Sequence, residues 1–337
     1  MTGEAAVSAP GKTILFGEHA AVYGHPAVVT ALDHRMTVTA RTSASSRRGT
    51  LRLEIPALRI ARTVDSTHTV DTVTEPGDLA ILAVTIGTAD LTPHPAGLHL
   101  YIESTIPSGA GFGSSAALAV AVVAACRRAC GEDTADDEIA RLALSIERHQ
   151  HGRASGVDVQ AVLRGGVLVC RRVDDGLVER EELLGAGRLL DAFRLFHTGA
   201  PNETTGAMVG AVRSLLDREP ARVREAFEAI EETTRDGRDA LVRGDGAALL
   251  PIVKRAEAAL EAIGVVPTAV QEPMRAIEAD GGAAKISGAG GLTGAGAGLV
   301  LVVHPDPAWH ARFAAPAGWT AHRVRLGAQG LRAELAA

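Results

Sequence analysis

The hydrophobic pattern of the chain predicts a mixture of strands and helices. Apolar and β-branched residues alternate in short segments, which is typical of strands, whereas apolar residues three or four positions apart are typical of helices. The predicted strands cover residues 13–16, 36–41, 51–55, 98–102, 166–171, 192–196 and 299–303. The predicted helices cover residues 79–86, 114–130, 136–150, 206–216, 221–243, 247–263 and 267–279. Because strands and helices do not alternate strictly, the pattern favours an α+β fold over a doubly wound α/β fold.

Breaks in this pattern predict a loop, the ends of a helix and a domain boundary. Residues 63–75 are rich in Thr, Asp and Ser without a clear period, and we expect an exposed loop or hairpin there. Asp78 and Gly87 flank the first predicted helix as its N-cap and its C-terminal stop. Around residues 171–187 the chain becomes charged and contains glycine, which indicates a boundary between two domains.

Length, charge and cysteine content restrict the class of protein. The 337 residues, 46% of them hydrophobic, suffice for two domains with separate cores, predicted at residues 1–180 and 181–337. The net charge is −6 and no run of Lys or Arg exceeds two residues, so no nucleic-acid partner is expected. The longest apolar run, residues 116–126, is too short for a bilayer, and no secretory signal pattern begins the chain, so no membrane partner is expected. The three cysteines cannot all pair, which is typical of a cytoplasmic protein.

Residues 107–117, with the sequence PSGAGFGSSAA, carry the strongest functional signal. Gly109, Gly111 and Gly113 lack a Cβ, so a ligand can approach the backbone closely. The alanine-rich helix that follows presents unpaired N–H groups and a partial positive charge to this loop. The segment therefore predicts an anion site, most simply for a phosphate. Ser114 and Ser115 can cap the helix or bind a metal ion that accompanies the phosphates.

Three other interpretations of the glycine pattern fit less well. Residues 111–116 match the relaxed dinucleotide fingerprint, but the acidic residues Glu132 and Asp133 follow the helix before any second strand. Residues 6–13 nearly match a P-loop, but Ala6 replaces the first glycine and no strand precedes it. A plain tight turn needs one glycine rather than three in register.

Two more segments carry ionisable residues in apolar surroundings. Lys12 begins an apolar strand, and Glu18 and His19 follow its far end. Asp158 follows a Ser-Gly turn between apolar residues, which fits either a carboxylate in a cleft or a helix-capping aspartate. The two histidines within residues 149–151 diverge on a helix without a third ligand, so we do not expect zinc.

Three segments together resemble the motifs of the GHMP kinases, a superfamily of small-molecule kinases that includes galactokinase, homoserine kinase, mevalonate kinase and phosphomevalonate kinase. They are residues 9–24 (APGKTILFGEHAAVYG), the loop at 107–117, and residues 285–291 (KISGAGG), whose counterpart in the family packs on the first loop. The Gly-Glu-His ending of the first motif is similar to that of mevalonate kinases, and the Gly-Glu-Tyr form typical of phosphomevalonate kinases is absent. The resemblance implies a two-domain α+β fold, with a ribosomal-S5-domain-2-like N-terminal domain and a ferredoxin-like C-terminal domain.

The resemblance also implies roles for individual residues, in an ATP-dependent phosphorylation of mevalonate to 5-phosphomevalonate. Asp158, in a segment similar to the family's catalytic-aspartate region, would accept the proton of the attacking hydroxyl, with Lys12 paired to it. Mg²⁺ would be held by Glu147 and by Ser114 or Ser115. ATP would bind at Pro107, Gly109, Ala110, Gly111, Gly113, Ser114, Ser115, Gly288 and Gly290. The expected acceptor contacts are Glu18, His19, Thr198 and Thr204, the last two in a segment similar to the family's Thr-rich substrate loop.

Two segments depart from the family pattern and leave alternatives open. The third motif continues through residues 288–298 as a longer, partly duplicated glycine loop, and its register against the phosphates stays open. Residues 149–154 differ from the lead that mevalonate kinases commonly carry before the catalytic aspartate. A sugar, homoserine or phosphomevalonate therefore remains an alternative acceptor. The sequence is also compatible with a homodimer. The presence of Lys12 and Asp158 argues against the decarboxylase and 3-kinase relatives, and against a non-catalytic sensor of ATP and a metabolite on the same fold.

Overall fold

The structure, a computed structural model, describes residues 3–43, 49–65, 70–92, 97–107, 109–152, 154–174 and 178–335. Its strands are β1 (Glu4–Phe16), β2 (Pro26–Thr42), β3 (Thr50–Ile55), β4 (Ile60–Val64), β5 (Gly97–Ser104), β6 (Val167–Arg172), β7 (Val178–Glu182), β8 (Phe193–His197), β9 (Ala283–Ser287), β10 (Leu299–Val303), β11 (Thr320–His322) and β12 (Arg332–Glu334). Its helices are α1 (Pro76–Thr88), α2 (Ser114–Ala129), α3 (Asp136–His151), α4 (Val157–Arg164), α5 (Thr205–Arg218), α6 (Pro220–Arg243), α7 (Gly246–Ala262), α8 (Thr268–Ala279) and α9 (Trp309–Arg312).

The larger sheet is built around the two longest strands, β1 and β2. Its order is β12-β1-β2-β5-β3-β4, and β6 with β7 extends it from the N-terminal part of β2. The pair β3–β5 is parallel, and the other pairs are antiparallel. The register between β1 and β2 shifts between Pro10 and Gly11, directly before Lys12. Proline has no N–H and glycine no side chain, so both suit an irregular position in a strand.

The smaller sheet has the order β11-β8-β10-β9 and is antiparallel throughout. Helices α7 and α8 pack on β9, and α6 packs along α7. All five residues of β9 and all five of β10 are buried, although β9 is an edge strand, because α7 and α8 cover it.

Helix α2 lies in the centre of the larger core and is apolar on every side. Its residues Ala116–Cys126 are all buried, and the helix contacts β1, β2, α1 and α3. A helix that is apolar all round is stable only when it is enclosed, and alanine lets its neighbours approach closely. This burial fixes the N-terminal end of α2, which carries the glycine loop.

Three expectations drawn from the breaks in the pattern need correction. Helix α1 is capped by Glu75, and Asp78 is its third residue, where the two side chains form a reciprocal capping box. Gly87 lies inside α1, where a Cβ would come within 3.2 Å of Val123 on α2, so this glycine permits close helix packing. Strand β4 extends into residues 63–64, whereas residues 66–69 of the expected loop lie outside the described part.

The expected domain boundary at residues 171–187 contains β7, which pairs with β6 in the larger sheet. Strand β12, near the other end of the chain, also joins this sheet beside β1. The division into residues 1–180 and 181–337 stays a prediction. Within the described ranges, none of the helices combines the length and the apolar character that crossing a membrane requires.

Candidate active site

The glycine loop joins β5 to the N-terminal end of α2. Gly109, Gly111 and Gly113 have φ angles of 70°, 83° and 75°, a region that residues with a side chain rarely adopt. Gly113 is the N-cap of α2 and has no side chain with which to cap the first turn. The first N–H groups of the buried helix therefore remain available to an anion in the loop. Ser108 lies outside the described residues.

Strand β1 passes directly under this loop. The backbone N–H of Lys12 donates to the carbonyl of Phe112 at 2.9 Å, which ties the first motif to the glycine loop. A Cβ at Gly113 would lie 2.6 Å from Cγ of Lys12. Glycine is required there because the lysine side chain runs against the backbone of the loop.

Lys12 and Asp158 form an ion pair, with Nζ and Oδ2 2.8 Å apart. The lysine side chain is 6% exposed, and that of Asp158, in the first turn of α4, is 35% exposed. Gly156 caps α4 with a φ of 81° and so turns the chain just before this aspartate. The alternative of a helix-capping aspartate is excluded, because Asp158 lies inside the helix and faces a lysine from β1.

The ion pair lines a cavity that we call the charged cavity. Its ionisable lining residues are Lys12, Glu18, His19, Glu147, Asp158 and Glu203. Gly109 and Gly111 of the glycine loop and Gly288 and Gly290 of the third motif also line it. The predicted site residues from distant parts of the chain thus converge on one space.

A second cavity, which we call the apolar cavity, lies at the same end of α2. Its apolar lining residues include Met36, Ile55, Leu58, Leu79, Ile102, Ile106 and Leu118. Ser114, Ser115 and Gln150 line it as well, whereas Gly109 and Gly111 line the charged cavity. The start of α2 therefore lies between two spaces of opposite character.

Ser115, rather than Ser114, meets the buried carboxylate of α3. The hydroxyl of Ser115 lies within hydrogen-bond distance of Oε1 of Glu147 and of Oε1 of Gln150. Burial raises the pKa of Glu147 to about 7, and the hydrogen bond from Ser115 acts in the opposite direction. Two hard oxygen ligands, a hydroxyl and a carboxylate, are thus available together. Among the described residues, no three or more His, Cys, Asp or Glu side chains cluster in a way that could hold a metal.

Glu18 and His19 follow β1 and lie at the wall of the charged cavity. The carboxylate of Glu18 accepts a hydrogen bond from Nζ of Lys285, and both side chains are almost completely buried. Nε2 of His19 lies 3.0 Å from the carbonyl oxygen of Ala289, so this nitrogen carries the proton. Burial lowers the pKa of His19 to about 4, so the ring is neutral at pH 7.

The third motif packs on the first one through Ser287. Its hydroxyl accepts from the N–H of Ile14 at 3.1 Å, donates to the carbonyl of the same residue at 2.9 Å, and contacts Oγ1 of Thr13 at 2.8 Å. The glycines expected to bind ATP, Gly288 and Gly290, consequently lie beside the ion pair and not at the apolar cavity.

The long glycine loop at 288–298 docks on the segment after β8. Thr198 lies behind the charged cavity, where its hydroxyl donates to the carbonyl of Gly298 and accepts from the N–H of Ala297. The hydroxyl of Thr198, an expected acceptor contact, is therefore bonded to the long glycine loop and does not line the charged cavity. Thr204 lines the charged cavity and is the N-cap of α5, where its hydroxyl accepts from the N–H of Ala207.

Sequence reasoning missed three groups of residues at these cavities. Lys285, which lies behind the charged cavity, belongs to the third motif, and a single charge in the apolar strand β9 is itself a signal. Gln150 and Glu203 lie beside predicted residues, but nothing in their local pattern marks them. The apolar lining comes from β2, β3, α1 and β5, where each residue has the pattern of an ordinary core residue.

Comparison with known proteins supports the family suggested by the motifs. The profile of the GHMP kinases N terminal domain matches residues 78–166. The chain is 32% identical over 286 residues to the mevalonate kinase of Archaeoglobus fulgidus, a match that covers 84% of this chain and 88% of that protein. It is 30% identical over 331 residues to the mevalonate kinase of Methanothermobacter thermautotrophicus, over 97% of this chain and 99% of that one.

The fold agrees with this similarity. The crystal structure of Methanococcus jannaschii mevalonate kinase superposes with a TM-score of 0.72 and 20% identity, over 97% of this chain and 98% of that chain. This likeness confirms the expected two-domain α+β fold of the GHMP kinases. Because identity of 30% or more to curated mevalonate kinases extends over most of the chain, the protein belongs to the mevalonate kinase family within the GHMP kinase superfamily.

Proposed function

We propose that the protein transfers the terminal phosphoryl group of ATP to the primary hydroxyl of mevalonate. GHMP kinases are ATP-dependent small-molecule kinases, and the relatives named above are mevalonate kinases. The observation that carries the proposal is the ion pair of Lys12 and Asp158 at the charged cavity, beside the glycine loop. A carboxylate next to a phosphate site is the arrangement that phosphorylation of an alcohol needs.

Asp158 is the proposed base. Its carboxylate accepts the proton of the attacking hydroxyl, while the ammonium of Lys12 holds Oδ2 in place and favours the developing alkoxide. Positioned general bases contribute about 10²–10⁴ in rate. Lys12 is itself held by its backbone bond to Phe112, so the base keeps a fixed position relative to the phosphate loop.

The two cavities suggest where the two substrates bind. The apolar cavity offers flat apolar contacts suited to a nucleotide base, and Ser114 and Ser115 at its edge lead to the start of α2. The charged cavity would hold the acceptor, with Gly109 and Gly111 of the glycine loop in its wall. In this arrangement the transferred phosphoryl group lies at the N-terminal end of α2, where N–H groups and the helix dipole favour negative charge.

The donor set at Ser115 and Glu147 fits Mg²⁺. This ion prefers oxygen ligands and is usually bound by one or two protein groups together with substrate phosphates and water. Ser115 and Glu147 would hold it, and the ion would neutralise charge on the phosphates. Burial raises the pKa of the Glu147 carboxyl, and a cation bound beside it would stabilise its ionised form.

The charge of the acceptor cavity argues against a phosphorylated acceptor. The described residues that line the charged cavity include four acidic side chains, and Lys12 is the only lysine or arginine among them. Arg153 lies outside the described residues. An acceptor with a phosphate would carry two further negative charges into this space, which favours mevalonate over phosphomevalonate.

An acceptor panel tests the proposal. The purified enzyme is assayed for ATP consumption with mevalonate, phosphomevalonate, galactose and homoserine, and Asp158→Asn prepared in parallel controls for contaminating kinases. We expect mevalonate to give the highest kcat/KM, with formation of 5-phosphomevalonate. No activity with mevalonate, or an equal rate in the Asp158→Asn preparation, would refute the assignment.

A further inference from the structure

A buried pair of charges, one in the wall of the charged cavity and one behind it, is not used by the phosphoryl-transfer step. The side chains of Lys285 and Glu18 are 0% and 1% exposed and form an ion pair. Nζ of Lys285 also donates to the carbonyl of Ile286 at 2.7 Å. A buried ion pair rarely stabilises a fold more than apolar residues of the same size would. Stability alone therefore does not account for this pair.

The position of the pair connects β9 to the cavity wall. Lys285 is the middle residue of β9, whose five residues are all buried, whereas Glu18 lines the charged cavity. The lysine thus approaches the carboxylate from the protein interior. Burial raises the pKa of Glu18, and the ammonium of Lys285 acts in the opposite direction, with a smaller contribution from Lys12.

A neighbouring carboxylate does not compete for the lysine charge. Glu257 on α7 is fully buried, and it accepts a hydrogen bond from the N–H of Ile286 at 2.9 Å. Burial raises the pKa of Glu257 to about 8, so this group is mostly protonated at pH 7. The positive charge of Lys285 is therefore matched by Glu18.

We propose that Lys285 is a positioning residue that keeps Glu18 ionised at the cavity wall, where Glu18 accepts a hydrogen bond from a hydroxyl group of the acceptor. An ionised carboxylate accepts hydrogen bonds and repels other carboxylates. Glu18 thus selects the hydroxyl-bearing part of the acceptor and not its acid group. This inference rests on the proposed function: in mevalonate, the hydroxyl that is not phosphorylated is the tertiary one.

The test compares mevalonate with 5-hydroxy-3-methylpentanoate, which lacks the tertiary hydroxyl. Lys285→Met, Glu18→Gln and the double variant are measured for kcat/KM with both alcohols, KM for ATP and melting temperature. Glu257→Gln is the control, since it replaces a buried acidic side chain that does not line the charged cavity. The wild type should prefer mevalonate by about ten-fold or more, as expected for one hydrogen bond to a charged group.

The double variant separates positioning from a purely structural role. Lys285→Met leaves Glu18 without its partner and should lower both the melting temperature and the preference for mevalonate. The double variant should recover most of the melting temperature, while its preference for mevalonate stays about five-fold or more below that of the wild type. KM for ATP and the preference in Glu257→Gln should stay close to the wild-type values. If Lys285→Met does not fold, the preference of the double variant for mevalonate is the measurement that tests the inference.

Two results would overturn the inference. One is a double variant that regains the wild-type preference together with stability, and the other is a wild type that does not distinguish the two alcohols. Absence of any wild-type activity with mevalonate would instead refute the proposed function. The variants are then compared on the alcohol that the panel selects and its analogue without the second hydroxyl, and an unchanged preference in Glu18→Gln would overturn the inference there too.

Discussion

The two cavities at the start of α2 are built in different ways. The charged cavity takes its ionisable side chains from β1 and the two residues Glu18 and His19 after it, and one each from α3, the first turn of α4 and the segment before α5. The apolar cavity is lined mainly by apolar residues of β2, β3, α1, β5 and α2 and of the turn between β3 and β4. One is defined by particular atoms at fixed distances, and the other by a surface that many apolar residues could supply.

This difference predicts how each cavity responds to substitution. A group that transfers a proton or binds a metal ion has no substitute in its neighbours, so its loss is large. An apolar contact contributes in proportion to its area, and adjacent contacts remain when one is removed. We therefore expect large, specific effects at the charged cavity and small, graded effects at the apolar one.

The largest effect is expected for Asp158→Asn. The amide keeps the shape of the side chain but cannot accept the proton, so kcat should fall by about 100-fold or more. ATP affinity, measured by calorimetry, should stay within a few-fold. Asp239→Asn, which removes a surface partner of Arg238, is the control. A kcat above about a tenth of the wild-type value would remove Asp158 from the proposed role.

The next effect separates the two serines. Ser115→Ala should raise the Mg²⁺ concentration needed for half-maximal rate by roughly ten-fold or more, because it removes a proposed ligand beside Glu147. Ser114→Ala, one residue away, should leave the Mg²⁺ titration nearly unchanged. Equal titrations for both variants would contradict the assignment of Ser115 as the serine that binds Mg²⁺ with Glu147.

His19→Ala should act on the acceptor and not on the nucleotide. The ring lines the charged cavity, and its loss should raise KM for mevalonate by roughly ten-fold, the value of one buried hydrogen bond. His25→Ala, which removes a pair with Glu231, is the control. A raised KM for ATP with an unchanged KM for mevalonate would mean that the two substrates have been placed in the wrong cavities.

The smallest effect is expected at the apolar cavity. Leu58 is 42% exposed although it is a large apolar residue, and it lines this cavity. Leu58→Ala should raise KM for ATP by a few-fold through lost apolar contact, with little change in melting temperature. Leu184→Ala, at a 77% exposed leucine, is the matched control. A change in KM for mevalonate alone would contradict the assignment of the nucleotide base to this cavity.

The contrast between the cavities also explains how much the sequence could predict. Apolar surroundings marked Lys12 and Asp158 as separate candidates, whereas their pairing was implied only by the resemblance to the GHMP kinases. The choice of Ser115 over Ser114 needed the position of α3, which no local pattern encodes. The apolar cavity was not predictable, since residues such as Ile102 have the same pattern whether they face a core or a ligand.

The bounds of strands and helices could likewise be predicted only where the local sequence pattern is strong. Strand β10 was predicted with its observed bounds, because its five residues are uniformly apolar and are bounded by glycine and histidine. Strand β1 begins nine residues before its predicted start, since small residues and Pro10 give weak strand signals and the segment is stabilised by β2 and β12. Capping of α1 by Glu75 was missed, because the capping box involves a residue type less common at that position.

The pairing of β12 with β1 has a consequence for the order of events during synthesis. Ser8 on β1 donates a hydrogen bond to Glu334 on β12, across a separation of 326 residues. The strand that carries Lys12 is thus translated before β12, and the two strands can pair only after the residues between them have been translated. Contacts of such high contact order form late. A nascent chain would hold the glycine loop and the proposed base before that edge is closed, so the β1 edge is completed only after the residues of the proposed active site have been translated.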